Sequence, residues 1–223
     1  MRTPASVDKR QAVTPGRIVT EALRLTREEG LENWTLRRLA SAVGAYPAVV
    51  YHHVGDRETV VAAVIESVVA EVALPDERLP WRTWFEELLG GLRPVLRAAP
   101  GVARRLALHG PGVPSALAII EGGVRVLRSA GFGDESVVVY ELLLNQACLF
   151  VAFEDDRGLS PGIRERSAEL FSSYRDSETQ PGLAAMGRYV AEADPAEFFD
   201  YAIARTLDGV AARLTDRPVS TPA

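Results

Sequence analysis

Residues 35–57, TLRRLASAVGAYPAVVYHHVGDR, leave few choices for the local fold. Thr35 suits a helix N-cap, because its hydroxyl can accept a bond from an otherwise orphaned amide in the first turn. Leu36, Leu39, Ala40 and Val43 recur at helical spacing and give that helix one apolar face. Gly44 follows where a helix ends most easily in a left-handed residue. Pro47 stands near the start of the next helix, where a missing amide costs little. Val50 and Val54 are spaced to face inward, which leaves Tyr46, Val49, Tyr51 and His52 outward. This is the pattern of a helix-turn-helix, whose second helix enters the DNA major groove.

Bulk properties are consistent with that motif only when read locally. The chain of 223 residues has a net charge of −5, which alone argues against nucleic acid. Residues 1–55 carry 8 Lys and Arg against 5 Asp and Glu, a net of +3, leaving −8 for the remainder. A basic front on an acidic body fits a small DNA-binding head on a larger domain, though a short segment can reach such a balance by chance. Cys148 is the single cysteine, so neither an intrachain disulfide nor a CxxC metal site is available. It lies among Leu and Phe and reads as a buried small hydrophobe. No uninterrupted apolar run reaches the ~18–20 residues of a membrane span. Val137 to Phe153 comes nearest, broken by Glu141, Asn145 and Gln146. With no signal-peptide pattern at the start, the expectation is a cytoplasmic protein without a membrane partner.

Periodicity predicts helices throughout and no sheet, hence an all-α fold. Residues 1–14 read as a flexible arm, in which Arg2, Lys9 and Arg10 either touch phosphate or do nothing specific. Residues 15–73 form the head and its connecting helix. The first helix spans Pro15 to Glu29, with Ile18, Ala22 and Leu25 inward and Val19 beside them; Leu31 and Trp34 plug the join that follows. From Asp56 a helix of about 18 residues, ~27 Å long, is expected to reach Ala73 as a connecting rod. Residues 81–215 form a larger helical body. Its most apolar helix, Val137 to Phe153, demands burial on several sides, and its last carries Phe198, Phe199, Ile203, Leu207, Val210 and Leu214 in a stripe broad enough for a partner helix. Residues 216–223 read as a fraying tail.

The stretch from about Arg17 to Val72 resembles the DNA-binding domain of the TetR family of bacterial transcription regulators. TLRRLASAVG, VVYHHV and GDRETVVAAV carry the resemblance over roughly 50 residues. It implies phosphate contacts from Thr35, Tyr51 and Arg57, a base contact from Arg37, and groove-facing positions at Tyr46, Pro47, Ala48, Val49 and His52. The residue types suit these roles physically, since a guanidinium can bond the O6 and N7 of guanine and an apolar set meets thymine methyls. Tyr46 departs from the family pattern, which has a small or polar residue there. A looser resemblance, in LRSAGFGDES and FFDYAIARTLDGV, is to the C-terminal domain of the tetracycline-repressor branch. It implies a homodimer built by two late helices of each subunit, binding a palindromic operator and responding to a small-molecule effector.

Four residues are candidates for the effector site. Glu141 and Asn145 are four apart, and polar groups on an apolar helix must find partners. They either line a ligand cavity or cross-bond helices in the dimer. His109 resembles a ligand-contacting His of tetracycline-type members, but Ala73 stands where those members carry a second, so a magnesium–tetracycline ligand is not expected. Trp84, with Trp81, Phe85, Phe150 and Phe153, either walls a pocket or belongs to ordinary core. There is no nucleophile elbow, phosphate-binding glycine loop or metal-spaced His/Cys set, so neither an enzyme, a metal site nor a cofactor is expected. The reading is a ligand-responsive regulator, most simply a repressor released by a small, largely apolar effector. The alternative is a helical adaptor that binds DNA without sequence preference or not at all.

Overall fold

In the computed structural model, residues 12–159, 161–192 and 194–215 are described, and the regular structure among them is entirely helical. The chain divides into two units, Met1–Val64 and Ile65–Ala223, with the boundary inside the fourth helix. The expected contacts of Arg2, Lys9 and Arg10, and the tail 216–223, lie outside the described residues.

The first unit holds α1 (Pro15–Glu29), α2 (Leu36–Ala42), α3 (Pro47–Val54) and the start of α4 (Arg57–Val69). Local chemistry sets each boundary. Thr14 and Thr35 cap α1 and α2, accepting from the amides of Arg17 and Arg38 at 3.3 and 3.2 Å. After α2, Gly44 adopts φ 71°. The Ala45 amide donates to the Ala40 carbonyl and the Gly44 amide to that of Ser41, which satisfies two orphan acceptors in a Schellman turn. Asp56 caps α4 by accepting from both the amide and hydroxyl of Thr59 at 2.9 Å, bonds that hold its carboxyl below the usual carboxylate range. Ile18, Ala22, Leu25, Leu31, Trp34, Leu39 and Val50 are buried, and Trp34 Nε1 donates to Thr26 Oγ1 at 2.9 Å.

The second unit continues with α5 (Trp81–Arg97), α6 (Val102–His109), α7 (Ala116–Ser129), α8 (Ser136–Leu159), α9 (Pro161–Ser172), α10 (Pro181–Glu192) and α11 (Pro195–Thr215). α8 is its axis and packs against α5, α6, α7, α9 and α11. Within Gly133–Asp156 an 18-residue window has a mean hydropathy of 1.7, enough by length and composition to cross a bilayer. Packing by its neighbours accounts for the inward part of that apolarity. Gly122 and Gly123 let α7 come close: a Cβ on Gly123 would lie 2.7 Å from the Tyr140 ring of α8, and one on Gly122 would lie 3.1 Å from Trp84 of α5.

One expectation changes. The connecting helix stops at Val69 rather than Ala73, giving 13 residues and ~20 Å. The amides of Glu71 and Val72 bond carbonyls three residues back, tightening the end of the helix, and Pro75 soon follows. α8 is buried on several sides, as its apolarity demands, and keeps one stripe open. Val138, 70 % exposed, stands with Leu142, Leu149 and Phe153 on one uncovered stripe.

Candidate DNA-reading and effector sites

The head presents its candidate residues as one exposed group. Arg37, Tyr46, Pro47, Ala48, Val49, Tyr51 and His52 are all exposed. Two features direct this: the Schellman turn aims Tyr46 outward at the N-cap of α3, 81 % exposed, and burial of Val50 leaves the opposite face of α3 to solvent. Thr35 is exposed as well; its oxygen accepts the Arg38 amide, which leaves the hydroxyl proton available to a phosphate. The basic pair is differentiated. Arg38 is paired with Glu29 at 2.9 Å, whereas Arg37 has no ion-pair or hydrogen-bond partner among the described residues. His53, which the resemblance does not imply, is exposed too, and lies four residues after Val49, hence on its face.

Arg57 is differently placed. Its guanidinium donates to the Leu31 carbonyl at 2.6 Å and the Trp34 carbonyl at 3.4 Å, meets Glu32 at 3.3 Å, and lies 5.0 Å over the Trp34 ring. It is a clamp between the start of α4 and the α1–α2 connection, with its side chain 28 % exposed. Arg57→Ala is therefore expected to lower stability by about 1–2 kcal/mol, the worth of charged bonds partly screened by water. Arg57→Lys, which keeps charge but loses the planar fork, should recover less than half of that. Amide exchange of residues 31–36 checks it: the loss should appear there first.

The second unit contains a cavity of about 100 Å³. α8 supplies Tyr140, Leu144 and Cys148 on one stripe and Glu141 and Asn145 on the next. Val69 from the end of α4 and Gly110 and Pro111 from the loop after α6 complete much of the wall. Asn145 Nδ2 donates to Glu141 Oε2 at 3.1 Å. Burial pushes the Tyr140 phenol above its ordinary range and the Cys148 thiol up to about 12, so both stay neutral. The structure thus brings together two of the four effector candidates. His109 is exposed beside Gly110 but is not in the wall. Trp84 is 1 % exposed, packed on Phe85 at 5.0 Å and against Gly122, away from this cavity. Sequence reasoning missed Tyr140 and Val69. The four-residue repeat Tyr140–Leu144–Cys148 is visible in the sequence, whereas nothing local marks Val69.

The end of α4 is also tied to the cavity's loop. The Ser115 amide and hydroxyl both donate to Glu66 Oε2, at 3.1 and 2.9 Å. Ser115 occupies the N-cap position of α7, yet its hydroxyl makes no capping bond there.

Comparison with known proteins follows the same division. Residues 74–214 match the family described as tetracyclin repressor-like, C-terminal domain. The chain is 26% identical to tetracycline repressor protein class A from transposon 1721 of Escherichia coli, over 93% of this chain and 95% of that protein. It is 32% identical to an HTH-type transcriptional regulator of Saccharopolyspora erythraea over 56% of its own length, an alignment spanning about half (54%) of that relative. The solved structure of the Streptomyces coelicolor TetR family protein ActR in complex with actinorhodin superposes with a TM-score of 0.76 at 26% identity, covering 90% of this chain and 96% of that one.

Proposed function

The chain belongs to the TetR family of transcriptional regulators, and from that premise we propose that it is a cytoplasmic, effector-released repressor that binds a palindromic operator as a homodimer. The family consists of regulators rather than enzymes. One observation carries the reading. α4 begins in the head at Arg57 and ends at Val69 in the wall of the cavity. A change at the cavity thus has a covalent path to the DNA-reading helices.

The cavity's size supports a switch. About 100 Å³ is well below the ~300 Å³ at which ligand pockets usually begin. An effector that enters must widen the site, so it binds a widened state better than this one. That differential affinity is what shifts a two-state equilibrium. The widening displaces Val69 or the Gly110–Pro111 loop, and α4 carries the change to α3. ActR with its bound actinorhodin is a relative that holds a small molecule.

The dimer rests on exposed apolar surface. Val138, Leu142, Leu149 and Phe153 of α8 and Phe198 and Tyr201 of α11 are open to solvent, and these two helices pack against one another. A second copy covers that face by two-fold symmetry and presents two reading helices, ~34–36 Å apart or at a longer fixed spacing.

Selection of bound duplexes from a random pool, at near-physiological salt, tests the reading. Salt matters because phosphate contacts alone give sequence-blind binding. An inverted repeat is expected; a folded, dimeric protein that recovers no motif would favour the adaptor. On the recovered site, Arg37→Ala should weaken binding about 5-fold to 150-fold, the ~1–3 kcal/mol of one base contact, and relax preference at one base pair. Arg38→Ala, whose guanidinium is held by Glu29, should leave base preference unchanged.

A further inference from the structure

The cavity's polar chemistry is one-sided. Among the described residues no Lys, Arg or His is in its wall and Glu141 is its acidic side chain, while burial keeps Tyr140 and Cys148 protonated. Glu141 has no ion-pair partner among the described residues; Asn145 is its hydrogen-bond partner, on Oε2. Each carboxylate oxygen accepts more than one bond, so the group retains capacity, and the Asn145 carbonyl adds a further acceptor. Apolar groups of Val69, Leu144, Ile119 and Pro111 surround these acceptors.

We propose that the effector is an organic cation: an apolar body bearing one protonated amine, received by the Glu141 carboxylate at the rim of the apolar cavity. This rests on the effector-released reading above. Three ligand classes are separated by elementary electrostatics. An acid placed here meets a carboxylate with no cation to offset it. A neutral apolar molecule strips water from Glu141 and gives nothing back. An ammonium fills the apolar space with its body and replaces the lost water with a charge-assisted bond.

Three probes of one shape test it on the full-length protein: phenethylamine, phenethyl alcohol and phenylacetate. The unfolding midpoint against probe concentration gives each affinity by linkage. The amine is expected to bind at least about tenfold tighter than the alcohol, ~1.4 kcal/mol, with phenylacetate weakest. Glu141→Gln, an isosteric change at an exposed residue, should bring the amine to the level of the alcohol and leave the alcohol unchanged. Rising salt on the unaltered protein should narrow the same gap, which provides a second route should the variant fold poorly. An amine bound no better than the alcohol at millimolar concentration overturns the proposal. So does a preference that survives Glu141→Gln. Duplex selection without any probe separates this from the regulator reading: amine preference without an operator removes the regulator and keeps the cation site, and an operator without amine preference does the reverse.

Discussion

Replacing Glu154 with alanine is expected to destabilise the second unit by about 3 kcal/mol, the lower part of the range for breaking a buried pair. Glu154 lies on α8 with its side chain 4% exposed. Arg93 of α5 grips it with two bonds of 3.1 Å, and Arg97 adds a third at 2.8 Å. The same Arg93 guanidinium lies 5.2 Å over the Phe199 ring of α11. Alanine leaves Arg93 partly buried without its counter-charge, which is the costly half of the change; Arg97, 47% exposed, returns to water more cheaply. For a chain of this size the midpoint of unfolding should fall by roughly 6–12 °C. Glu154→Gln keeps an acceptor and the shape and should lose about half as much. Because Phe199 is packed by Arg93, the dimer proposed through α8 and α11 should also weaken. A Glu154→Ala protein as stable as the parent would show that the three groups pair no better folded than unfolded.

The neighbouring carboxylate should behave oppositely. Asp155 accepts one backbone bond, from Gly101 N at 3.0 Å, and burial raises its pKa to about 6. A carboxyl whose folded pKa exceeds the unfolded ~3.9 binds more protons when folded, so its contribution to stability is complete below ~4 and is lost as pH rises through ~6. Asp155→Asn retains an oxygen for Gly101 and cannot ionise. It should flatten the fall in stability between those values and be neutral or stabilising at pH 7, by up to roughly 2 kcal/mol. Denaturant titrations at several pH values read the slope directly.

Whether a feature was legible in the sequence depended on how far apart its partners lie along the chain. The bounds of α1, α2 and α3 follow from signals a few residues long: Thr14 and Thr35 as caps, Gly44 as a left-handed stop, Pro47 at a first turn. Those interactions are local, so the residues that make them are near neighbours in the chain. Arg57 sits in the same motif but binds Leu31, 26 residues away, and no spacing rule reaches that far. The end of α4 misled because the valine pattern runs through Val72 while the backbone tightens after Val69. Trp84 stayed open between pocket wall and core for a different reason: an aromatic stripe shows which side of α5 is apolar, not what lies beneath it. Glu141 and Asn145 were legible as a polar pair on an apolar helix. That they line a cavity depends on α4, α6 and α7 closing around them.

The release of DNA by effector should depend on Glu66 more than on any residue of the cavity wall itself. Glu66 lies one turn before the end of α4 and holds Ser115, at the start of α7, through both its amide and its hydroxyl. Between Ser115 and the cavity runs the loop that contributes Gly110 and Pro111 to the wall. On the proposed mechanism, an effector that widens the cavity moves this loop, and the Glu66 bonds oblige the end of α4 to follow. Effector coupling of this kind typically amounts to ~1–3 kcal/mol, a ratio of about 5 to 150 in DNA affinity with and without effector. Ser115→Ala removes the hydroxyl but keeps the amide, so the ratio should fall by only a few fold. Glu66→Ala removes both carboxylate bonds, leaving only the 3.3 Å bond from the Ser115 hydroxyl to the residue 66 carbonyl, and the ratio should fall toward one while effector-free binding to the operator changes little. The measurement is operator affinity with and without a releasing ligand, phenethylamine being the first to try. Amide exchange of residues 110–116 in the unliganded Glu66→Ala protein should rise in parallel, since the loop has lost both carboxylate bonds. If Glu66→Ala released DNA as fully as the parent, the cavity would reach α4 through Val69 packing alone, and the polar tie would be structural only.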